Sequence, residues 1–246
     1  MAKAAKQQET KDFFATLTKG IERFISEHLK ILIICIAVAV VGLAAYFITD
    51  YLFDRREKSA NSAFGKVYLS YREISESNGS EGFDESEGFV ESDEEAVNEK
   101  LLSLNEDFKK VIEAYPNTYA ASESAYFIGD TLYKSGRYDE AVEFFKQGYS
   151  IKLKSYIAIL CLFGEASCHE QQENYSMAES AYKRIIDEYK DSFIVPLTKY
   201  NLGQLYEKQD KYTLAEREYS QIVIQYEWSS WKELAEKRLL IIKGFI

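Results

Sequence analysis

The second half of the chain repeats itself every 37 residues, and that register constrains the fold more than any other feature. Tyr138, Tyr175 and Tyr212 form one column, Ala141, Ala178 and Ala215 a second, and Gly129, Ala166 and Gly203 a third. A fourth column of rings, Phe108, Phe145, Tyr182 and Tyr219, begins one step earlier. Small residues let two helices approach closely, and rings at a fixed offset fill the gap between them. Columns that stay in register over successive periods predict stacked pairs of antiparallel helices, a solenoid in which each unit buries its face against the next.

Within a unit, 12 residues separate Gly129 from Ala141, Phe145 follows four later, and Gly136 marks the turn between the two helices. This pattern resembles the tetratricopeptide repeat, whose motif runs leucine, glycine, tyrosine, then alanine, phenylalanine and proline. The matching residues are Ile128 and Gly129 with Ala141 and Phe145, then Ala166 with Ala178 and Tyr182. The third set is Leu202, Gly203 and Tyr206 with Ala215 and Tyr219. The chain departs from the motif in its longer period, in a proline column reduced to Pro116, and in lacking the first-helix tryptophan. The fold class is therefore all-α: a tetratricopeptide-like helical-hairpin solenoid over residues 100–246, with about three repeats, a partial first repeat and a capping helix.

A second signal is the uncharged run Ile31 to Thr49. Its 19 residues, at a helical rise of ~1.5 Å each, span about 28 Å, close to the hydrocarbon core of a bilayer. The run predicts one transmembrane helix over 31–49. A cleaved signal peptide is the competing reading, but about 30 residues precede the run, more than a usual charged leader region. Cys35 follows Leu32, Ile33 and Ile34, without the small residues of a lipoprotein cleavage site. An uncleaved anchor is the expectation. The flanking basic residues are balanced, Lys11, Lys19, Arg23 and Lys30 before the run against Arg55, Arg56, Lys58 and Lys66 after it. Lys30 abuts the apolar run and Asp50, Asp54 and Glu57 offset the far side, which favours a cytoplasmic N-terminus.

Residues 1–30 read as a cytoplasmic tail with an amphipathic helix, because Phe13, Phe14, Leu17, Ile21, Phe24 and Ile25 recur at three- and four-residue steps. Residues 50–74 read as a helix leading into the solenoid, with Ala63, Phe64, Val67, Tyr68 and Tyr71 at helical spacing and Gly65 before Tyr68 echoing the repeat motif. Residues 75–99 hold ten acids, three glycines and no basic residue, a composition that predicts a disordered insert. An EF-hand does not fit there, since Gly88 would put Phe83 at the first ligand position. The insert splits the first repeat, with its second helix expected near 97–114.

The net charge is −10, and the first 49 residues hold six Lys/Arg and four Asp/Glu, so the remainder carries −12. An acidic surface repels phosphate backbones, which argues against nucleic acid as a partner. Cys161 and Cys168 lie seven apart on one predicted helix, about 10.5 Å along its axis and too far to bridge, so free buried thiols are expected. With two histidines, His28 and His169, and no phosphate loop, metal-spaced cluster or nucleophile elbow, the sequence predicts neither an enzyme nor a cofactor or metal.

The tetratricopeptide resemblance implies a binding groove lined by the first helix of each repeat. It places Tyr126, Phe163 and Tyr200 towards that groove, with Tyr133, Leu160 and Leu197 nearby, as an apolar trough for extended polypeptide. The basic and asparagine positions with which some relatives clamp a C-terminal carboxylate read here as Glu123, Tyr126 and Asp130. At the C-terminus, Ser230 and Glu233 form a capping-box pattern opening a last helix with Trp231, Leu234, Ala235, Leu239 and Ile242 on its inner stripe. Leu240, Ile241, Phe245 and Ile246 add apolar surface beyond that stripe, which predicts a terminal interface, including a homodimer through this helix. A short tail, one crossing and a C-terminal repeat domain together resemble the ancillary translocon subunits of the bacterial inner membrane, the YfgM-like family. That resemblance implies a single-pass inner-membrane protein with periplasmic repeats. Its implied partners are the SecYEG secretion translocon, periplasmic chaperones and unfolded clients. A scaffold for an envelope or division complex, and an organelle-membrane adaptor with cytosolic repeats, are the alternatives.

Overall fold

The computed structural model describes residues 2–77 and 91–245, which divide into two compact units, Met1–Arg55 and Arg56–Ile246. Every described residue that takes regular structure is helical. The first helix, α1, runs Ala2–Ser77 and belongs to both units. In the first unit, the large apolar side chains described from Leu29 to Phe53 are all exposed, and α1 is long and apolar enough to cross a membrane. The side chains of the expected amphipathic stripe, Phe13 to Ile25, lie outside the described residues.

The second unit contains three helical hairpins: α4 (Tyr119–Lys134) with α5 (Tyr138–Ile151), α6 (Tyr156–Gln171) with α7 (Tyr175–Glu188), and α8 (Val195–Glu207) with α9 (Tyr212–Gln225). Each helix packs on its sequence neighbour, and the last, α10 (Trp231–Ile242), covers α9. The small-residue and ring columns meet inside the hairpins. A Cβ at Gly129 would lie 2.7 Å from the Phe145 ring, and one at Gly203 would lie 2.5 Å from the ring of Tyr219. Glycine is required there because the ring occupies the volume a side chain would need. Phe145, Tyr182 and Tyr219 are all essentially buried.

The turns inside the hairpins share one backbone solution. Gly136, Glu173 and Asp210, again 37 apart, take positive φ of 73°, 56° and 57°. The amide after each reaches back to the helix it closes: Arg137 N donates to Leu132 O at 2.9 Å, Asn174 N to His169 O at 2.7 Å, and Lys211 N to Tyr206 O at 2.9 Å. This is the Schellman arrangement, which satisfies carbonyls left open at a helix end and needs one left-handed residue. Between hairpins, Asn117 and Lys154 also have positive φ. The next residues, Thr118 and Ser155, cap α4 and α6 through side-chain oxygens that accept from Ala121 N at 3.2 Å and Ala158 N at 3.1 Å.

Three expectations are corrected. The acidic insert is shorter than residues 75–99: residues 75–77 continue α1, residues 91–99 belong to α2 (Glu91–Ser103), and residues 78–90 lie outside the described residues. The second helix of the partial first repeat is two helices, α2 and α3 (Asn105–Ala114), broken at Leu104. Asn105, the first residue after the break, is buried, and its Oδ1 accepts from Thr131 Oγ1 at 2.7 Å, a hydroxyl that also reaches Ile128 O at 2.9 Å. Gly65 is not a close-approach glycine, since nothing lies within 4 Å of a Cβ placed there. The partial repeat is closed by rings instead: Phe108 stacks on Phe127 at 5.6 Å, and Phe64 and Tyr71 meet Phe127 at 5.8 and 4.8 Å.

The three turn positions make different demands on their side chains. A non-glycine residue held in the left-handed region costs about 1 kcal/mol, partly offset by the entropy a glycine loses on folding. Glu173→Gly and Asp210→Gly are therefore expected to raise the melting temperature by about 1–3 °C each, and Gly136→Ala to lower it by a similar amount. Thermal unfolding followed by circular dichroism checks the sign, and a fall with Glu173→Gly would show that its side chain contributes more than its backbone costs.

Candidate functional site

The six residues expected to line a groove lie on the first helices of the three hairpins: Tyr126 and Tyr133 on α4, Leu160 and Phe163 on α6, Leu197 and Tyr200 on α8. All six are half-buried. The three rings in register each lean on the ring of the second helix of their own hairpin: Tyr126 on Phe145 at 5.9 Å, Phe163 on Tyr182 at 5.8 Å and Tyr200 on Tyr219 at 5.5 Å. Such tilted and edge contacts fix the orientation of a ring without covering it completely. Tyr200 also meets Trp231 of α10 at 5.2 Å, and Tyr133 meets Tyr138 at 5.5 Å. Because α4 packs directly on α6, Tyr126 and Phe163 lie on adjoining helices.

Several charges around these rings are already committed. Asp130 accepts from Tyr71 Oη at 2.7 Å and pairs with Lys134 at 2.7 Å. Burial pushes the Tyr126 phenol up to about 12, with the Asp130 carboxylate adding to it, so the ring stays a neutral hydroxyl at physiological pH. Glu123 is also raised, by burial first and then by the Glu57 carboxylate. Lys199, buried beside Tyr200 in sequence, is held by Glu218 at 3.2 Å and by Gln221. The region thus offers half-open aromatic and aliphatic surface, together with tyrosine hydroxyls.

The reactive groups singled out in the sequence do not assemble. Cys161 and Cys168 are free and buried, and burial, reinforced by Glu165, pushes both thiols up to about 12. A thiol so raised is protonated at neutral pH and is a poor nucleophile. His169 is buried with neither ring nitrogen hydrogen-bonded. Among the described residues, no group of three His, Cys, Asp or Glu side chains could hold a metal ion.

At the terminal surface, Leu240, Ile241 and Phe245 are exposed, while Phe245 also stacks on Tyr212 at 4.9 Å, and Ile246 lies outside the described residues. The expected capping box is not formed. Ser230 has helical dihedrals and makes no cap, whereas Ser229 Oγ accepts from Trp231 N at 3.3 Å, so the turn starts one residue earlier. Ala235 and Ile242 face inward with Trp231 and Leu239 half-buried beside them, but Leu234 is exposed and does not join that stripe.

A feature the sequence reading did not single out is a further column, Tyr119, Tyr156 and Phe193, 37 residues apart at the turns between hairpins, with exposures of 50%, 52% and 65%. The same register that revealed the core columns contains it, but core columns draw attention by what they bury, and these rings bury little.

Burial and high thiol pKa together give a direct expectation. At pH 8, Cys161 and Cys168 should stay unlabelled by iodoacetamide in the folded chain and react fully once denaturant exposes them. Mass spectrometry of the tryptic peptides checks this, and rapid native labelling of either would show that the helix pair opens.

Two family models match the chain, both described as tetratricopeptide repeat, over residues 122–155 and 160–192. Neither describes a catalytic family. No curated protein matches. Among solved structures, the chain is similar to the crystal structure of MamA, with 19% sequence identity and a TM-score of 0.44, over 64% of this chain and 95% of that one. The matched repeats coincide with the α4/α5 and α6/α7 hairpins, and the chain accordingly carries tetratricopeptide repeats and contains a protein–protein interaction module.

Proposed function

We propose that this protein is a single-pass adaptor of a bacterial inner membrane, anchored by residues 31–49, with a cytoplasmic N-terminal tail and periplasmic repeats that hold extended polypeptide. Its partners are secreted chains and periplasmic chaperones at the secretion translocon. The observation that carries the reading is the register of Tyr126, Phe163 and Tyr200, three half-buried rings on successive first helices, each braced from behind by a ring of its own hairpin. A braced ring presents apolar area at small cost in side-chain entropy, and it does so to any sequence, which suits clients recognised by being unfolded. The long apolar stretch of α1 supports the anchor, and the likeness in layout to ancillary translocon subunits supports the location.

Serine substitutions at Tyr126, Phe163 and Tyr200 test the groove. Each is expected to weaken crosslinking to an unfolded secretory client in native membranes about tenfold while the helical signal and melting behaviour persist. If each change unfolds the repeats and none selectively reduces crosslinking, the rings are core and the groove reading falls. Crosslinks to a fixed envelope or division complex, with no client or translocon among them, would favour the scaffold instead. Externally added protease on spheroplasts should remove the repeats and leave a short protected N-terminal fragment, whereas protected repeats would reverse the topology.

The uncovered end of α10 supports self-association of two copies. Leu240 and Ile241, 70% and 54% exposed, are large apolar side chains on a helix whose inner face is already occupied by Ala235 and Ile242. Changing Leu240 to Glu and Ile241 to Lys in the full chain should shift its sedimentation from dimer to monomer. A monomer before and after the change would eliminate the interface.

A further inference from the structure

The turns between hairpins follow one rule twice and break it the third time. Before α4 and α6, a left-handed residue (Asn117, Lys154) precedes a capping hydroxyl (Thr118, Ser155), and a tyrosine opens the helix. Before α8, the corresponding Asp191 does not take positive φ, the helix starts two residues late at Val195, and Pro196 occupies its first turn. The residue that should open the helix, Phe193, is left in the turn and is 65% exposed. It stacks on Tyr156 of the preceding turn, with ring centroids 6.3 Å apart and planes 19° from parallel. Between these two turns lies an open cavity of about 400 Å³, lined by Ile159, Tyr189, the two rings, Lys154 and Lys190 among others.

The chemistry of this cavity is selective. Ile159, only 4% exposed, supplies apolar wall between the exposed rings. Glu188 is held by Arg184 at 3.4 Å and by Tyr149 Oη at 2.6 Å, and Tyr189 Oη accepts from Lys154 N at 3.3 Å, so these groups are spoken for. Lys154 and Lys190 make no ion pair among the described residues, and of the lining acids only Asp191 is likewise unpaired. Two uncommitted ammonium groups against one uncommitted carboxylate leave a positive excess beside the ring pair, on a domain whose overall charge is strongly negative. Stacked rings left exposed, one of them on the turn that departs from its own repeat, form an apolar patch open to a partner.

We infer that the edge cavity between Tyr156 and Phe193 is a second protein-docking site, which takes a leucine or phenylalanine flanked by aspartate or glutamate on a partner segment. The apolar side chain packs against the ring pair beside Ile159, and its neighbouring carboxylates meet Lys154 and Lys190. The site is separate from the groove residues Tyr126, Phe163 and Tyr200 and does not depend on their role. An acidic partner is repelled by most of the domain and attracted at this edge, so the lysine pair sets where it docks.

The test uses the full chain in nanodiscs of neutral phosphatidylcholine and a fluorescent peptide, Asp-Glu-Leu-Phe-Glu-Asp. Fluorescence anisotropy is expected to show saturable binding that weakens as salt is raised, since the ion pairs form at the surface. Phe193→Ser, or Lys154→Glu with Lys190→Glu, should weaken it about tenfold or more, with the melting curve unchanged because all three side chains are exposed. The same peptide with serine for its leucine and phenylalanine, or with amides for its acids, should not bind. Tyr126→Ser should leave peptide binding intact, and Phe193→Ser should leave client crosslinking intact, so the two sites fail independently. Absence of saturable binding, or binding indifferent to Phe193→Ser, would overturn the inference. So would loss of capture by phosphatidylglycerol vesicles in the lysine variant with no peptide effect, which would assign the edge to lipid.

Discussion

The spacing of the repeat domain depends on buried rings packed where the facing helix carries a small residue. Phe145 is the clearest instance, because it lies between two helices that both give way to it. A Cβ at Gly129 of its own hairpin, or at Gly164 of the next, would sit 2.7 or 2.4 Å from its ring carbons. The ring therefore fixes the spacing within one hairpin and between that hairpin and its neighbour, and one residue carries both contacts. The position occupied by Gly164 recurs as Phe127 and Asn201 in the adjoining units, and the contact adapts: Phe127 stacks flat on Phe108, and the polar Asn201 lies near enough to the buried Tyr182 hydroxyl to lower its pKa. A void, a stack and a polar neighbour solve the same packing problem with three residue types, since what must be conserved between units is the filled volume and the satisfied polar atom.

Polar contacts then tie the units together in the direction the rings leave free. Tyr182 Oη donates to Glu170 at 2.6 Å, Lys208 of the following hairpin reaches the same carboxylate at 2.6 Å, and Tyr206 returns to Glu179 at 3.0 Å. Burial first, then the Glu170 carboxylate, holds the Tyr182 phenol well above its ordinary range, so it remains a donor at any physiological pH. One period later, Tyr219 and Arg238 converge on Glu207, which extends the chain of contacts to α10. A terminal helix held this way completes the stack on its inner side, while Leu240 and Ile241 outside it meet no such partner.

The core and the hairpin register were legible in the sequence because burial writes a strict column, and Phe145, Tyr182 and Tyr219 cannot be replaced freely at such contacts. The turns were legible only where glycine advertised them. Gly136 shows its left-handed backbone by residue type, but Glu173 and Asp210 adopt the same conformation without any such sign, and only their distance from Gly136 points to it. Gly164 was invisible for the opposite reason: its column holds a phenylalanine and an asparagine, so no pattern survives. The break at Leu104 was missed because helix propensity runs unbroken through it and the residues it serves, Asn105 against Thr131, meet only in the folded chain. For the groove residues, the sequence supplied the register and the ring column of the second helices but not the contact between them, which depends on how the two helices of a hairpin face each other.

The two candidate surfaces differ in how they can discriminate. Along Tyr126, Phe163 and Tyr200, neighbouring charges such as Asp130 and Lys199 are neutralised within the domain, leaving apolar area whose attraction is non-directional and indifferent to sequence. At the edge, Lys154 and Lys190 remain uncommitted beside the rings, so a partner gains from carrying carboxylates at a fixed distance from an apolar side chain. The edge cavity is lined by none of Tyr126, Phe163 and Tyr200, and changing a turn, as Asp191 to Pro196 does, leaves the packed column at Tyr182 untouched. A turn can therefore change its side chains without disturbing the packed column on the helices, which is what allows the third turn to depart from its two predecessors.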